Sequence, residues 1–128
     1  MVVLDTNIII DHLRLKESGK SYLRKLEEKF TKDLLAISIV TVQELYSGQG
    51  TKDLKREEYL LSTIGAIQIL PYSYEISELA GKIARDSKNP IDFADATIAA
   101  TTILNGAELC TLNNKHFVNI SDLQILQI

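Results

Sequence analysis

Two rhythms of apolar and polar positions alternate along the chain: short runs of branched residues, and longer stretches in which every third or fourth side chain is apolar. The alternation predicts strands separated by helices. Val2-Val3-Leu4 reads as a buried strand that stops at Asp5, with Thr6 or Asn7 placed to cap a helix beginning near Ile8. Tyr22, Leu23, Leu26 and Phe30 fall at helical spacing among charged positions and predict an amphipathic helix over residues 18–32. A second compact apolar run, residues 34–40, is followed by Thr41-Val42-Gln43-Glu44, which matches the Ser/Thr-x-x-Glu box that opens helices. That helix is expected to end at residues 47–50, with another over residues 53–64 broken by Gly65.

Residues 67–70 before Pro71 predict a third strand. Ile76, Leu79, Ala80 and Ile83 predict a helix over residues 73–87 that ends at Asn89-Pro90. From residue 91 to 104 apolar and small residues cover almost every face, the mark of a helix buried on most sides. Asn105-Gly106 turns the chain into a short strand at residues 109–112, and residues 123–128 alternate as a last strand. Strands separated by helices imply an α/β fold, a three-layer α/β/α sandwich around a mainly parallel sheet.

The length of 128 residues suits one domain, and no apolar run is long enough to cross a bilayer. Met1 leads straight into the first strand, so no cleaved leader and a cytoplasmic location are expected. The single cysteine, Cys110, has no internal disulfide partner and reads as a small buried side chain. A net charge of −3 argues against gripping nucleic acid by bulk electrostatics, so any such role must be local. Basic residues do gather at Lys16, Lys20, Arg24, Lys25, Lys29 and Lys32, and again at Lys52, Lys55 and Arg56. They alternate with Glu27, Glu28, Glu57 and Glu58, as on solvated helix faces.

Candidate chemistry lies in the acids. Asp5 ends a strand, where open α/β sheets bind ligands, and it is equally placed to cap the next helix. Asp92 and Asp95 stand at the entrance of the buried helix; Asp92 fits an N-cap, whereas Asp95, further in, is less well explained by capping. Glu44 has a structural reason to exist in its capping box. Yet Asp5, Glu44 and Asp95 all fall near expected helix beginnings, and in a parallel sheet those beginnings share one edge. Three carboxylates gathered there would repel one another and raise their own pKa values unless a cation held them ionised. Oxygen ligands suit Mg²⁺ or Mn²⁺, and no Cys/His set has zinc spacing.

The segments Leu4-Asp5-Thr6-Asn7, Thr41-Val42-Gln43-Glu44-Leu45, Asp95-Ala96-Thr97-Ile98-Ala99-Ala100 and Thr111-Leu112-Asn113-Asn114-Lys115-His116-Phe117 follow one another in an order that resembles PIN-domain proteins, specifically VapC-type toxins of type II toxin–antitoxin systems. The resemblance runs the whole length and implies a single PIN domain over residues 1–128. It implies a Mg²⁺-dependent endoribonuclease, with Mn²⁺ as a substitute, in which Asp5, Glu44 and Asp95 are the principal acids and Asp5 and Asp95 the metal ligands. Glu44 would complete the metal shell through water or orient the attacking water. The family often has a further acid where this chain has His116, which leaves Asn113, Asn114, His116 or Asp92 to complete the metal's surroundings, or a site that runs with three acids and water. Thr6 and Thr111 would bond the carboxylates or a substrate phosphate, beside their plainer roles as capping and strand residues. RNA as substrate, a VapB-like antitoxin and a homodimer are the partners implied; Tyr22, Leu26 and Phe30, or Tyr59, Leu60, Leu61 and Ile64, offer apolar surface for them, or for the core.

Three other readings remain. An aspartyl phosphatase using Asp5 as nucleophile lacks the second acid two residues on, and a nucleotide-binding domain lacks a Gly-rich loop after the first strand. A non-catalytic PIN-fold interaction module is the alternative that His116 keeps open.

Overall fold

A computed structural model describes residues 1–15 and 19–128. Lys16 of the basic group and Ser18, the expected start of the second helix, lie outside the described residues. The elements in order are β1 (Val2–Leu4), α1 (Thr6–Leu15), α2 (Tyr22–Lys29), β2 (Leu35–Ser38), α3 (Ile39–Ser47), α4 (Leu54–Ile64), β3 (Gln68–Leu70), α5 (Tyr74–Asp86), α6 (Phe93–Leu104) and β4 (Glu108–Cys110). Short 3-10 turns occupy Lys32–Leu34, Gln49–Lys52 and Asn114–His116.

The four strands lie in the order β3-β2-β1-β4, and every pairing is parallel, with Val3 opposite both Ala36 and Leu109. Successive strand side chains point to opposite faces, and that period sorts the core into layers. Val2, Leu4, Leu35, Ile37 and Cys110 pack on one face with Ile8 and Ile9 of α1, Leu23 and Leu26 of α2, and Leu60 and Ile64 of α4. Val3, Ala36 and Leu109 point the other way, onto Ile98 and Ala99 of α6 and onto Phe117. Helix α5 then packs on α6 through Ile76 and Ala80 against Ala96 and Ala100, small side chains that allow the helices close approach. The expected three-layer sandwich is therefore present, with α6 enclosed between the sheet and α5. Its buried Thr97, Thr101 and Thr102 avoid leaving hydroxyls unpaired by donating to the carbonyls of Phe93, Thr97 and Ile98 at 2.7 to 2.9 Å.

Because β2 and β3 extend the sheet on one side of β1 and β4 on the other, strand order reverses at β1. A crevice is expected outside the carboxyl ends of β1 and β4, where the crossovers leave in opposite directions.

Several expected boundaries move. The second strand ends at Ser38, whose hydroxyl accepts from Val40 N at 3.1 Å, so α3 starts at Ile39. The box at Thr41 to Glu44 is consequently not a helix start: both residues sit inside a helix already capped upstream. Helix α2 is shorter than residues 18–32 because Ser21 caps it, accepting from Arg24 N, and Phe30 is already extended. The fourth strand is Glu108–Cys110, set back from residues 109–112 because Thr111 turns into the crevice. No full strand forms at residues 123–128. Gln124 O and Leu126 N bond Leu109 at 2.8 Å each, a single parallel bridge following the left-handed backbone at Asp122 (φ 66°). Among the described residues no helix is long and apolar enough to cross a membrane.

His12 ties three helices together. Its Nδ1 lies 2.7 Å from Ser21 Oγ and its Nε2 3.1 Å from Tyr59 Oη, so a neutral ring satisfies both neighbours, one as donor and one as acceptor. Burial and then the charge of Arg24 push its pKa down, against Glu27 and Asp11. Above about pH 6.5 the ring is neutral in folded and unfolded chains alike. Below that the unfolded chain takes up the proton more readily, and stability is lost until folded His12 is protonated too. The melting temperature of the wild type is therefore expected to fall more steeply than that of His12→Gln between about pH 7 and pH 5; parallel curves by circular dichroism would contradict this.

Candidate active site

Asp5 follows β1 directly, at the predicted crevice, and is only 5% exposed. Its Oδ1 accepts from Thr6 N and its Oδ2 from the Thr111 hydroxyl, both at 2.7 Å. Asp5 N donates to Cys110 O at 2.9 Å, so the residue is fixed to the end of β4 by backbone as well as side chain. The Thr111 hydroxyl is a hub: while donating to Asp5, it accepts from Asn113 N at 3.0 Å and from the Asn7 amide at 3.4 Å. Asn7 Oδ1 accepts from Leu112 N at 3.2 Å, so α1 and the segment after β4 are tied together beside Asp5.

Glu44 reaches the same place from α3. The Thr6 hydroxyl donates to Glu44 Oε1 at 2.5 Å, and Thr41 Oγ1 lies 3.0 Å from Thr6 Oγ1. Since the only proton of Thr6 goes to Glu44, Thr41 supplies the proton of the second bond. Thr41 and Glu44 are three positions apart and share one helix face, which explains how a residue well inside α3 meets the first residue of α1.

Asp95 is the third residue of α6 and is half-buried. Its Oδ2 lies 3.1 Å from His116 Nδ1. Asp92 occupies the N-cap position of α6 but its side chain makes no capping bond, leaving an exposed carboxylate beside Asp95. Burial is the main reason the Asp5 carboxyl is held above its ordinary range. Thr111, Thr6 and His116 oppose that shift, and the charge of Asp95 adds to it. Asp95 is raised for the same principal reason, with His116 opposing and Asp92 and Glu44 adding. Cys110 is buried and its thiol is pushed up to about 12, first by burial and then by Asp5, so it is inert near neutral pH.

Asp5, Glu44, Thr6 and Thr111 thus meet in one network, and Asp95 with His116 is electrostatically coupled to it. Asn113 takes part through its backbone. Among the described residues no three histidine, cysteine or carboxylate groups form a ready-made metal cage. Asp5 and Asp95 instead offer hard oxygen donors whose negative charges burial and mutual repulsion disfavour, a situation a divalent cation relieves. Mg²⁺ is commonly held by one or two carboxylates while keeping several waters, so this donor set fits it. A groove of about 530 Å³ opens beside Asp92, Asp95 and His116, bordered by Lys88 and Lys115. Sequence reasoning gave Thr41 and Asn7 only helix-opening roles; their bonds to Thr6, Thr111 and Leu112 appear once α1 is packed against α3 and β4.

The model of the PIN domain family matches residues 2–123. The chain is 31% identical over 127 residues to Ribonuclease VapC10 of Mycobacterium tuberculosis, covering 97% of this chain and 91% of that one. It is 32% identical to Ribonuclease VapC1 of Methanocaldococcus jannaschii, with 94% and 82% covered. Among solved structures it is similar to VapBC2 of Rickettsia felis bound to a promoter DNA fragment (TM-score 0.83, 25% identity, 98% of each chain). It is also similar to a toxin–antitoxin complex of Klebsiella pneumoniae (TM-score 0.78, 28% identity, 100% of each).

Thr111→Val removes both the donor to Asp5 and the acceptor for Asn113 N. Leaving an oxygen of the buried Asp5 without its donor is expected to lower stability by about 1–3 kcal/mol in chemical denaturation. It should also move the Asp5 titration, followed by carboxyl-carbon NMR, further upward. Because a raised carboxyl pKa gives stability that is present at low pH and lost as pH rises through the folded value, Asp5→Asn should melt higher than the wild type at neutral pH without metal. A lower melting temperature would contradict the assignment of Asp5 as an uncompensated charge.

Proposed function

Given that this chain belongs to the PIN-domain family and has VapC ribonucleases among its relatives, we propose that it is a Mg²⁺-dependent endoribonuclease, the toxin of a toxin–antitoxin pair. The observation that carries the reading is the buried carboxylate of Asp5 at the switch point of the sheet, with Asp95 close enough to disfavour its ionisation. Asp5 and Asp95 would hold Mg²⁺, or Mn²⁺ in its place. When bound, such an ion lowers the pKa of a coordinated water and polarises a phosphodiester oxygen.

The chain's own residues set the stage for that chemistry. Thr6 and Thr111 fix the two oxygens of Asp5, so its carboxylate is oriented before any ligand arrives. Glu44, exposed and held through Thr6, would complete the metal shell through water or accept a hydrogen bond from the attacking water and align it. Asp92, Asn113 and His116 border the metal's surroundings, with His116 standing where an acid is expected. The whole chain, residues 1–128, acts as one PIN domain in the cytoplasm. It associates as a homodimer and is silenced by a VapB-like antitoxin. The second reading, a non-catalytic module, draws its support from Asp95: His116 already engages its carboxylate, and no three-ligand cage is preformed among the described residues.

One set of assays separates the two. The purified protein should cleave RNA with Mg²⁺ and stop with EDTA, and Asp5→Asn or Asp95→Asn should each lower the rate by at least about 100-fold. Glu44→Gln should cost about 10²- to 10⁴-fold. Expression alone should arrest growth, with relief by a co-expressed antitoxin. RNA cleavage that persists in EDTA or in Asp5→Asn would overturn the metal-dependent reading, and absence of both cleavage and growth arrest would favour the module.

A further inference from the structure

The groove beside Asp92 and Asp95 is walled by the end of α5, by the α5–α6 connection and by the turn after β4. Half-buried Ile83, Ile91 and Ile120 line it, and Lys88 and Lys115 border it as exposed side chains. Both lysines are set by their local backbone. Ser87 Oγ donates to Asn89 O at 2.5 Å and closes the bend around Lys88. Lys115 lies in the 3-10 turn Asn114–His116, where His116 N donates to Asn113 O and Phe117 N to Asn114 O, both at 3.0 Å, and Phe117 is anchored in the core. The next residue, His116, is the one that meets Asp95 at 3.1 Å, so Lys115 stands at the end of the groove where the acids are. Among the described residues neither Lys88 nor Lys115 has an ion-pair partner, whereas Lys82 pairs with Glu78 at 3.8 Å and Asp86 with Arg85 at 2.8 Å.

Screening decides which charges act on a molecule lying there. Exposed charges fade over about 8 Å at physiological salt, so the groove's own side chains matter and the overall −3 does not. The basic groups that stand out in the sequence are carried by α2 and α4 and the turn before α4. Those helices pack on the opposite face of the sheet from α5 and α6. Within the groove, Asp92 and Asp95 belong to the metal end, and the remaining unpaired charges among the described residues are Lys88 and Lys115 against Asp122 alone. An acidic chain therefore keeps a local excess of positive charge next to its acids. A polymer of phosphates with one group at Asp5 and Asp95 brings its next groups into this groove, and a lysine ammonium takes phosphate oxygens as a point charge, without reading the base. We propose that Lys88 and Lys115 are phosphate contacts that hold the RNA backbone in this groove, so that the strand runs from the acids between α5 and the turn after β4. The inference rests on the nuclease reading for what lies at the acids, and on the unpaired ammonium groups for the path.

The test measures binding of a fluorescein-labelled RNA to the full chain by anisotropy over a range of salt, with Ca²⁺ in place of Mg²⁺, and cleavage of the same RNA with Mg²⁺. The double variant Lys88→Gln with Lys115→Gln should flatten the slope of log affinity against log salt by roughly 0.7–0.9 for each lysine. It should raise KM with kcat nearly unchanged and leave the melting temperature where it was, since both side chains are exposed. Lys88→Arg with Lys115→Arg should restore the slope. Lys29→Gln with Lys55→Gln removes the same amount of charge from α2 and α4 and should bind and cleave as the wild type does. An unchanged slope and KM in the groove variant, with cleavage by the wild type, would overturn the path and leave the nuclease reading intact. Equal flattening in both glutamine pairs would also overturn it, by assigning the effect to net charge. A slope that depends on Lys88 and Lys115 without any cleavage would keep the path and remove the nuclease, and absence of binding and cleavage alike would remove both. Weakened capture of a co-expressed antitoxin by the groove variant, with its RNA slope unchanged, would overturn the path by giving the two lysines to a protein partner.

Discussion

A carboxylate almost removed from water has to have its charge answered by something, and at Asp5 the answer comes from the ends of two neighbouring strands. Thr6 N reaches one oxygen from the next residue along the chain, and the Thr111 hydroxyl reaches the other because β1 and β4 run parallel and end at the same level. The hydrogen bonds do not fully offset burial, and the Asp5 carboxyl stays above its ordinary range. The fold therefore carries an unrelieved electrostatic demand at the point where strand order reverses. Asp95 adds to that demand from α6, while His116 partly meets it from the segment after β4.

On the proposed reading, a cation held by Asp5 and Asp95 would favour the charged forms that burial disfavours, and its binding would be coupled to proton release and to stabilisation of the native chain. The surrounding network is built to prevent the obvious escape, in which the carboxylates swing out into solvent. Thr111, Asn7 and Thr6 are each held by more than one partner, and none of them is able to move without unpairing another.

Much of this was legible in the residues. The three-layer order followed from alternating periods, and Asp5 and Asp95 stood out because each interrupts an apolar run that has no use for a charge. Glu44 was singled out together with a capping box that the structure does not contain. Ser38 caps α3 three residues earlier, since a hydroxyl at the last strand residue outcompetes one already inside the helix. The alternating segment at residues 123–128 looked like a strand, yet only Leu109 is available to pair with it. Thr41 and Asn7 were illegible for a different reason. Their bonds cross from α3 to α1 and from α1 to the end of β4, and no local pattern encodes contacts that exist only after the layers close.

Helix α6 also says where this chemistry is vulnerable. Asp95 sits near the start of a rod whose apolar inner positions include Ala96, Ile98, Ala99 and Ala100, wedged between the sheet and α5. A larger side chain at the buried Ala96, Ala99 or Ala100 has to displace its neighbours, and with them the end of the helix that carries Asp95. Inheritance can therefore silence the centre through bulk alone, at alanines that never meet a substrate, and variation in this helix has to be judged by volume before charge.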